Sequence, residues 1–114
     1  MQLIPVYRIT VFVPPAQLGA LKQAILAVDD LATGGYAYGM WESAPGVEQF
    51  RVLEGTHSAV GLGGELVRVS TVRLEFCIPR DSQRLKRILD DGIAANHPWN
   101  SPAVFVDTTE FAAP

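Results

Sequence analysis

The chain has 114 residues and a mass of 12.4 kDa, the size of one compact domain rather than two. Nine Lys+Arg against 12 Asp+Glu leave a net charge of −3, so there is no cationic excess with which to bind nucleic acid. Charged residues make up only 18% and hydrophobic residues 48%, which argues against disorder and points to surface buried by self-association.

No run approaches the roughly 18 apolar residues a membrane span needs. Met1–Pro5 has no cationic start and Arg8 interrupts the apolar run, so no secretory signal is expected. The one cysteine, Cys77, excludes an internal disulfide. A soluble, cytoplasmic protein of one domain, residues 1–114, is the expectation.

Val6–Val13 is rich in β-branched and aromatic residues and stops at Pro14-Pro15, which predicts a strand. Alternation places Tyr7, Ile9, Val11 and Val13 on one face and Arg8, Thr10 and Phe12 on the other. The two prolines suit a helix start. Leu18, Leu21, Ile25 and Val28 then recur at helical spacing, and Asp29-Asp30 makes a poor end because acids there oppose the helix dipole. After Gly34-Gly35, Tyr36–Glu42 is predicted as a second strand, weakened by its glycine.

Residues 44–64 have no clean period apart from the short run Glu48–Leu53, and they end in Gly61-Leu62-Gly63-Gly64. Glu65–Ile78 is the strongest strand signal. Leu66, Val72, Leu74, Phe76 and Ile78 share one parity; Val67, Val69, Thr71, Arg73, Glu75 and Cys77 share the other. Asp81 or Ser82 can cap a second helix with Leu85, Ile88, Leu89 and Ile93 on its core stripe. That helix stops near Asn96-His97-Pro98. Pro102–Phe111 supplies the last strand.

The order strand, helix, strand, strand, helix, strand is a split βαβ, ferredoxin-like α+β plan. Right-handed crossovers place the first and third strands in the centre and both helices on one face. The other face carries Arg8, Thr10, Phe12, Arg73, Glu75 and Cys77. Arg8 and Arg73 are expected to pair with Glu75, and the face is expected to be buried against other subunits.

The connection over 44–64 is far longer than the about 2–5 residues usual between paired strands, and long loops in compact domains are usually functional or disordered. It carries Glu48, Phe50, Arg51, Glu54 and His57, with Arg51 suited to pair an anionic group. Gly61-x-Gly63-Gly64 leads into a strand rather than a helix, so it reads as a flexible turn and not a phosphate loop. His57 and His97 have no metal-ligand spacing. The Arg80-Arg84-Arg87 row reads as a solvated helix face. Trp41 and Trp99 read as core or interface anchors. No acid/base pair or nucleophile with its base is apparent.

Tyr7-Arg8-Ile9-Thr10-Val11-Phe12-Val13-Pro14 followed by a helix resembles the opening of the YqfO-type domain, which occurs alone and as an insert in larger YqfO-family metalloproteins. Gly35-Tyr36, Gln49-Phe50-Arg51, Glu54-Gly55, Gly64-Glu65-Leu66 and Val72-Arg73-Leu74-Glu75 continue the likeness. His97-Pro98-Trp99-Asn100-Ser101-Pro102-Ala103 is similar to the family's ending, where Asn100 and Ser101 stand at acidic positions. The resemblance implies a domain similar to CutA and PII signalling proteins, which form trimers through their sheets. The 44–64 connection would then match the PII effector loop, and the larger family's metal site would lie in its other domain.

The expected function is a non-enzymatic regulatory or binding module without a cofactor, a homo-oligomer and by preference a trimer. A small anionic ligand or a protein partner would meet Phe50, Arg51, Glu54 and His57, with His97 and Trp99 at the second helix end. Two rival readings are a divalent-metal binder like CutA and a small enzyme with a site between subunits.

Overall fold

Alternation along β1 (Gln2–Val13) and β4 (Leu66–Pro79) sets the centre of the molecule. In the computed structural model, which describes residues 1–114, they pair antiparallel from Val6↔Pro79 to Val13↔Val72. The terminal strand, β5 (Val104–Ala113), lies on the far side of β1, from Gln2↔Ala113 to Val11↔Val104. With β2 (Trp41–Glu42) and β3 (Gly46–Arg51) both on β4, the sheet runs β2-β4-β1-β5. The two strongest strand signals are thus central, as the split βαβ plan requires.

One side of this sheet presents Ile9, Val11, Val13, Leu74, Phe76 and Ile78, all buried. The helix α1 (Leu18–Val28), entered through a 3-10 turn at Pro15–Gln17, lays Leu21 and Ile25 over them. The helix α2 (Ser82–Arg87) runs on as a π-helical stretch, Ile88–Ala94, which adds Ile88 and Ile93 to the same cluster. Burying each such side chain is worth about 1.5–3 kcal/mol, so this layer is the main source of stability.

The helix ends explain two features that the sequence pattern left awkward. Asp29 ends α1 in an extended conformation, at the end where an acid opposes the dipole. Its carboxylate is compensated from the second helix: Arg84 donates from Nε and Nη2 at 2.8 and 2.7 Å, and the Leu31 N–H donates at 2.8 Å. The Arg84 bond holds this carboxyl below the usual carboxylate range although burial opposes it. The arginine row is therefore more than a solvated face, since Arg80 also donates to the Thr109 carbonyl at 2.8 Å. Asp81 caps α2 by accepting from the Gln83 and Arg84 N–H groups.

Two connections differ from expectation. The strand expected over Tyr36–Glu42 shrinks to Trp41–Glu42 because the preceding residues turn. The Asp29 and Asp30 carboxylates accept the Leu31 and Ala32 N–H groups, the Asp30 carbonyl accepts the Tyr38 N–H, and Tyr38 takes φ 63°. Within 44–64, the run Gly46–Arg51 is a strand pairing with the first half of β4, from Gly46↔Thr71 to Arg51↔Leu66. The first part of the long connection is thus one strand of a two-stranded arm, and the rest is the turn that closes it.

Along β4 the buried side changes over. Val67 and Thr71 are buried in the arm, while Val72, Leu74, Phe76 and Ile78 are buried in the body. Leu66, expected on the core parity, is 48% exposed for that reason.

The face opposite the helices carries polar pairs different from those expected. The Thr10 hydroxyl donates to Glu75 at 2.9 Å, Arg8 faces Asp107 on β5 at 3.8 Å, and Arg73 lies over the Trp41 ring at 4.9 Å. The β1–β4 register sets Thr10, not an arginine, opposite Glu75. Trp41 is 52% and Phe105 58% exposed here, so Trp41 is not a core residue.

Candidate functional site

The arm's inward side is built by alternation: Glu48 and Phe50 pair with Val69 and Val67, and Val52 continues the same parity beyond the ladder. Facing it is the segment that leaves the second helix. Asn96 closes that helix by donating from Nδ2 to the Asp91 and Gly92 carbonyls at 2.8 and 3.0 Å. The chain then turns through His97 and Pro98 to Trp99, whose ring meets Phe50 edge-on with centroids 6.1 Å apart.

Between the arm and this segment lies a cleft of about 380 Å³. Phe50, Arg51 and His57 line it from the arm and its turn, and Trp99, Asn100 and Ser101 from the other wall. The Asn100 side chain donates to the His57 carbonyl at 3.0 Å, joining the two walls across the cleft mouth. The Arg51 Nη1 donates to the Gly64 carbonyl at 2.7 Å, which clamps the turn shut. The guanidinium keeps further N–H donors for an anionic group.

Four of the six residues singled out from sequence, Phe50, Arg51, His57 and Trp99, come together here. Glu54 does not. Its carboxylate folds over Gly63 and Gly64 on the turn, outside the cleft lining. His97 lies beneath the cleft rather than in it, 8% exposed. Its Nε2–H donates to the Phe12 carbonyl at 2.7 Å while Nδ1 accepts the Trp99 N–H at 3.0 Å, so both nitrogens position Trp99 against β1.

Burial pushes the His97 imidazole below its usual range, although the Phe12 carbonyl and the Glu48 charge pull it up. An unfolded histidine at about 6.5 therefore takes a proton that the folded one refuses. Stability should be level above about pH 6.5 and fall as the pH drops below it. Urea midpoints at pH 7.5 and 5.5 test this: the drop should shrink in His97→Gln, and an equal drop in both proteins would remove His97 as its source.

Glu48, noted in the connection from sequence but given no role, also lines the cleft, and its Oε1 is buried with no hydrogen-bond partner. The available signal was an acid alternating with Phe50 on the inward parity of Glu48–Leu53, where an apolar residue is the norm. Nowhere do three or more His, Cys, Asp or Glu side chains gather as a metal site would require. No helix is long and apolar enough to cross a membrane.

No protein-family model and no curated protein matches the chain. Solved structures do. CutA from Synechococcus elongatus superposes with a TM-score of 0.65 at 16% identity, over 96% of this chain and 80% of that one. The chain has the CutA-like fold. A second similar structure is CPII from Thiomonas intermedia, a nitrogen regulatory PII-like protein bound to ADP, AMP and bicarbonate. It matches with a TM-score of 0.51 at 11% identity over 99% of both chains. A Bacillus cereus protein related to NIF3 gives a TM-score of 0.75 at 23% identity, covering 96% of this chain. This chain spans only 27% of that larger protein's length.

Proposed function

We propose that the chain is a non-enzymatic regulatory module that binds a small ligand in the cleft beneath the arm and works as a homotrimer in the cytoplasm. The observation that carries this reading is the convergence of Phe50, Arg51, His57 and Trp99 on one cleft. Arg51 meets an anionic group of the ligand with the donors Gly64 leaves free, while Phe50 and Trp99 supply an aromatic wall. The exposed Trp41 and Phe105 on the helix-free face, together with the low charge content, support burial of that face between copies. The similarity to part of a NIF3-related protein supports a counterpart of the YqfO-type domain, here a single ferredoxin-like domain over residues 1–114.

Native mass spectrometry of the protein as purified from cells tests both halves of the reading. A trimer carrying additional mass is the expected result, and a stable monomer overturns the assembly. In Arg51→Ala the additional mass should be lost or much reduced. The melting temperature should move little, because the bond lost is an exposed one worth about 1 kcal/mol. Full retention of the mass in that variant removes Arg51 from the site.

A further inference from the structure

The cleft holds an imbalance that the Arg51 end does not explain. Glu48 Oε1 is sealed from water and accepts nothing, and burying a carboxylate oxygen without a donor is costly. Its neighbours within the fold are already committed. The His97 Nε2–H goes to the Phe12 carbonyl, the Trp99 N–H goes to His97 Nδ1, and the Asn100 side chain goes to the His57 carbonyl. The Arg68 guanidinium, one register step away opposite Gln49, donates to the Gln49 side chain. No side chain of the fold hydrogen-bonds this Glu48 oxygen. The oxygen calls for a donor, and because Glu48 also lines the cleft, a turn of its carboxyl presents that oxygen to an N–H group held there.

The walls define the rest of the group. Phe50 and Trp99 stand edge-to-face beside Glu48, offering aromatic surface to a flat ring. A positive charge on that ring is favoured twice, by the carboxylate and by the aromatic faces.

We propose that the ligand presents a planar, cationic N–H head, an aryl amidine or protonated aminoheterocycle, whose donors satisfy Glu48 while its ring packs on Phe50 and Trp99. This rests on the cleft being the ligand site and specifies the ligand's chemistry. The ligand is then dipolar, with its anionic group toward Arg51 and its cationic head toward Glu48. On binding, the orphaned oxygen gains its bond.

Three probes separate the possibilities: 4-amidinobenzoate, benzamidine and benzoate, titrated into the full chain with Trp99 followed by fluorescence and NMR. The expected order of affinity is 4-amidinobenzoate, then benzamidine, then benzoate. Glu48→Gln should weaken both amidines about ten-fold or more and leave benzoate unchanged. Its melting temperature should equal or exceed that of the parent, because the variant removes an unpaired charge; this confirms that the variant folds. Unchanged amidine affinity in Glu48→Gln, or binding of benzoate alone, overturns the cationic head while leaving the cleft as the ligand site. Failure of all three probes to perturb Trp99 overturns both.

Discussion

Arg84→Ala is expected to lower the stability of the protein by about 3 kcal/mol, the scale for removing one partner of a buried ion pair. The Asp29 side chain is 7% exposed and Arg84 22%, and the two meet through a two-point bond at the crossing of the helix ends. Without the guanidinium, Asp29 keeps the Leu31 N–H and the weaker pull of Arg87 against the opposing dipole of the helix it ends. Its folded carboxyl, now held low, rises. In the parent this carboxyl contributes stability that is fully present above its unfolded value and is lost as the pH falls through the acid range. The variant should therefore be weaker at neutral pH and less sensitive to acid. Urea unfolding at pH 7 and 3.5 reads both effects. Combining Arg84→Met with Asp29→Asn should recover most of the loss, because the cost lies in the stranded charge. A loss under about 1 kcal/mol would mean that the pair behaves as a solvated surface bridge.

Gly61→Ala should cost about 2–4 kcal/mol, felt in the arm rather than the body. Gly61 has a φ of +84°, and a β-carbon there would stand 2.5 Å from Val67 Cγ2 and 3.3 Å from Val52 Cγ2. Both valines are buried and β-branched, so neither can swing aside. The left-handed backbone contributes about 1–2 kcal/mol and the overpacking a comparable amount. Gly64→Ala is the matched comparison. Its φ is +81°, but the nearest atom is the flexible Glu54 carboxylate at 3.0 Å, so the backbone cost stands nearly alone. Hydrogen exchange should show the amides of Val52 and Glu65 losing protection in Gly61→Ala and much less in Gly64→Ala, with Leu74 and Ile9 unchanged in both. Equal effects at the two glycines would show that Val67 yields easily and that the turn is not tightly packed.

The body of the fold was legible because its signals are local and agree with one another. Ile9, Val11 and Val13 alternate, Leu21 and Ile25 recur at helical spacing, and Asp81 stands where a cap belongs; each implies its structure without knowledge of the others. Tyr36–Glu42 misled because its composition is strand-like, while the amides and carboxylates of Asp29–Leu31 organise a turn there instead. Gly46–Arg51 was obscure for the opposite reason. With glycine, Glu and Gln in six residues its pattern is faint, and only the length of β4 gives it a partner. Phe50 and Arg51 were marked by the length of their connection, and Trp99 by its place after His97-Pro98. The unpaired state of Glu48 could not be seen, since an absent partner is a property of the assembled fold alone.

The changeover of the buried side at Thr71–Val72 limits how the arm can move. A one-residue slip of β3 along β4 would turn Glu48 and Phe50 outward and bring Val47, Gln49 and Arg51 inward, emptying the cleft wall at once. A slip of β4 itself would expose Leu74 and Phe76 in the body. Sliding is therefore closed to the arm, and so is rotation about its own strands. Bending at the changeover would keep the register of both strand pairs while altering the width of the cleft. In the proposed reading, a ligand in the cleft fixes that bend and with it the position of the tip at residues 52–65.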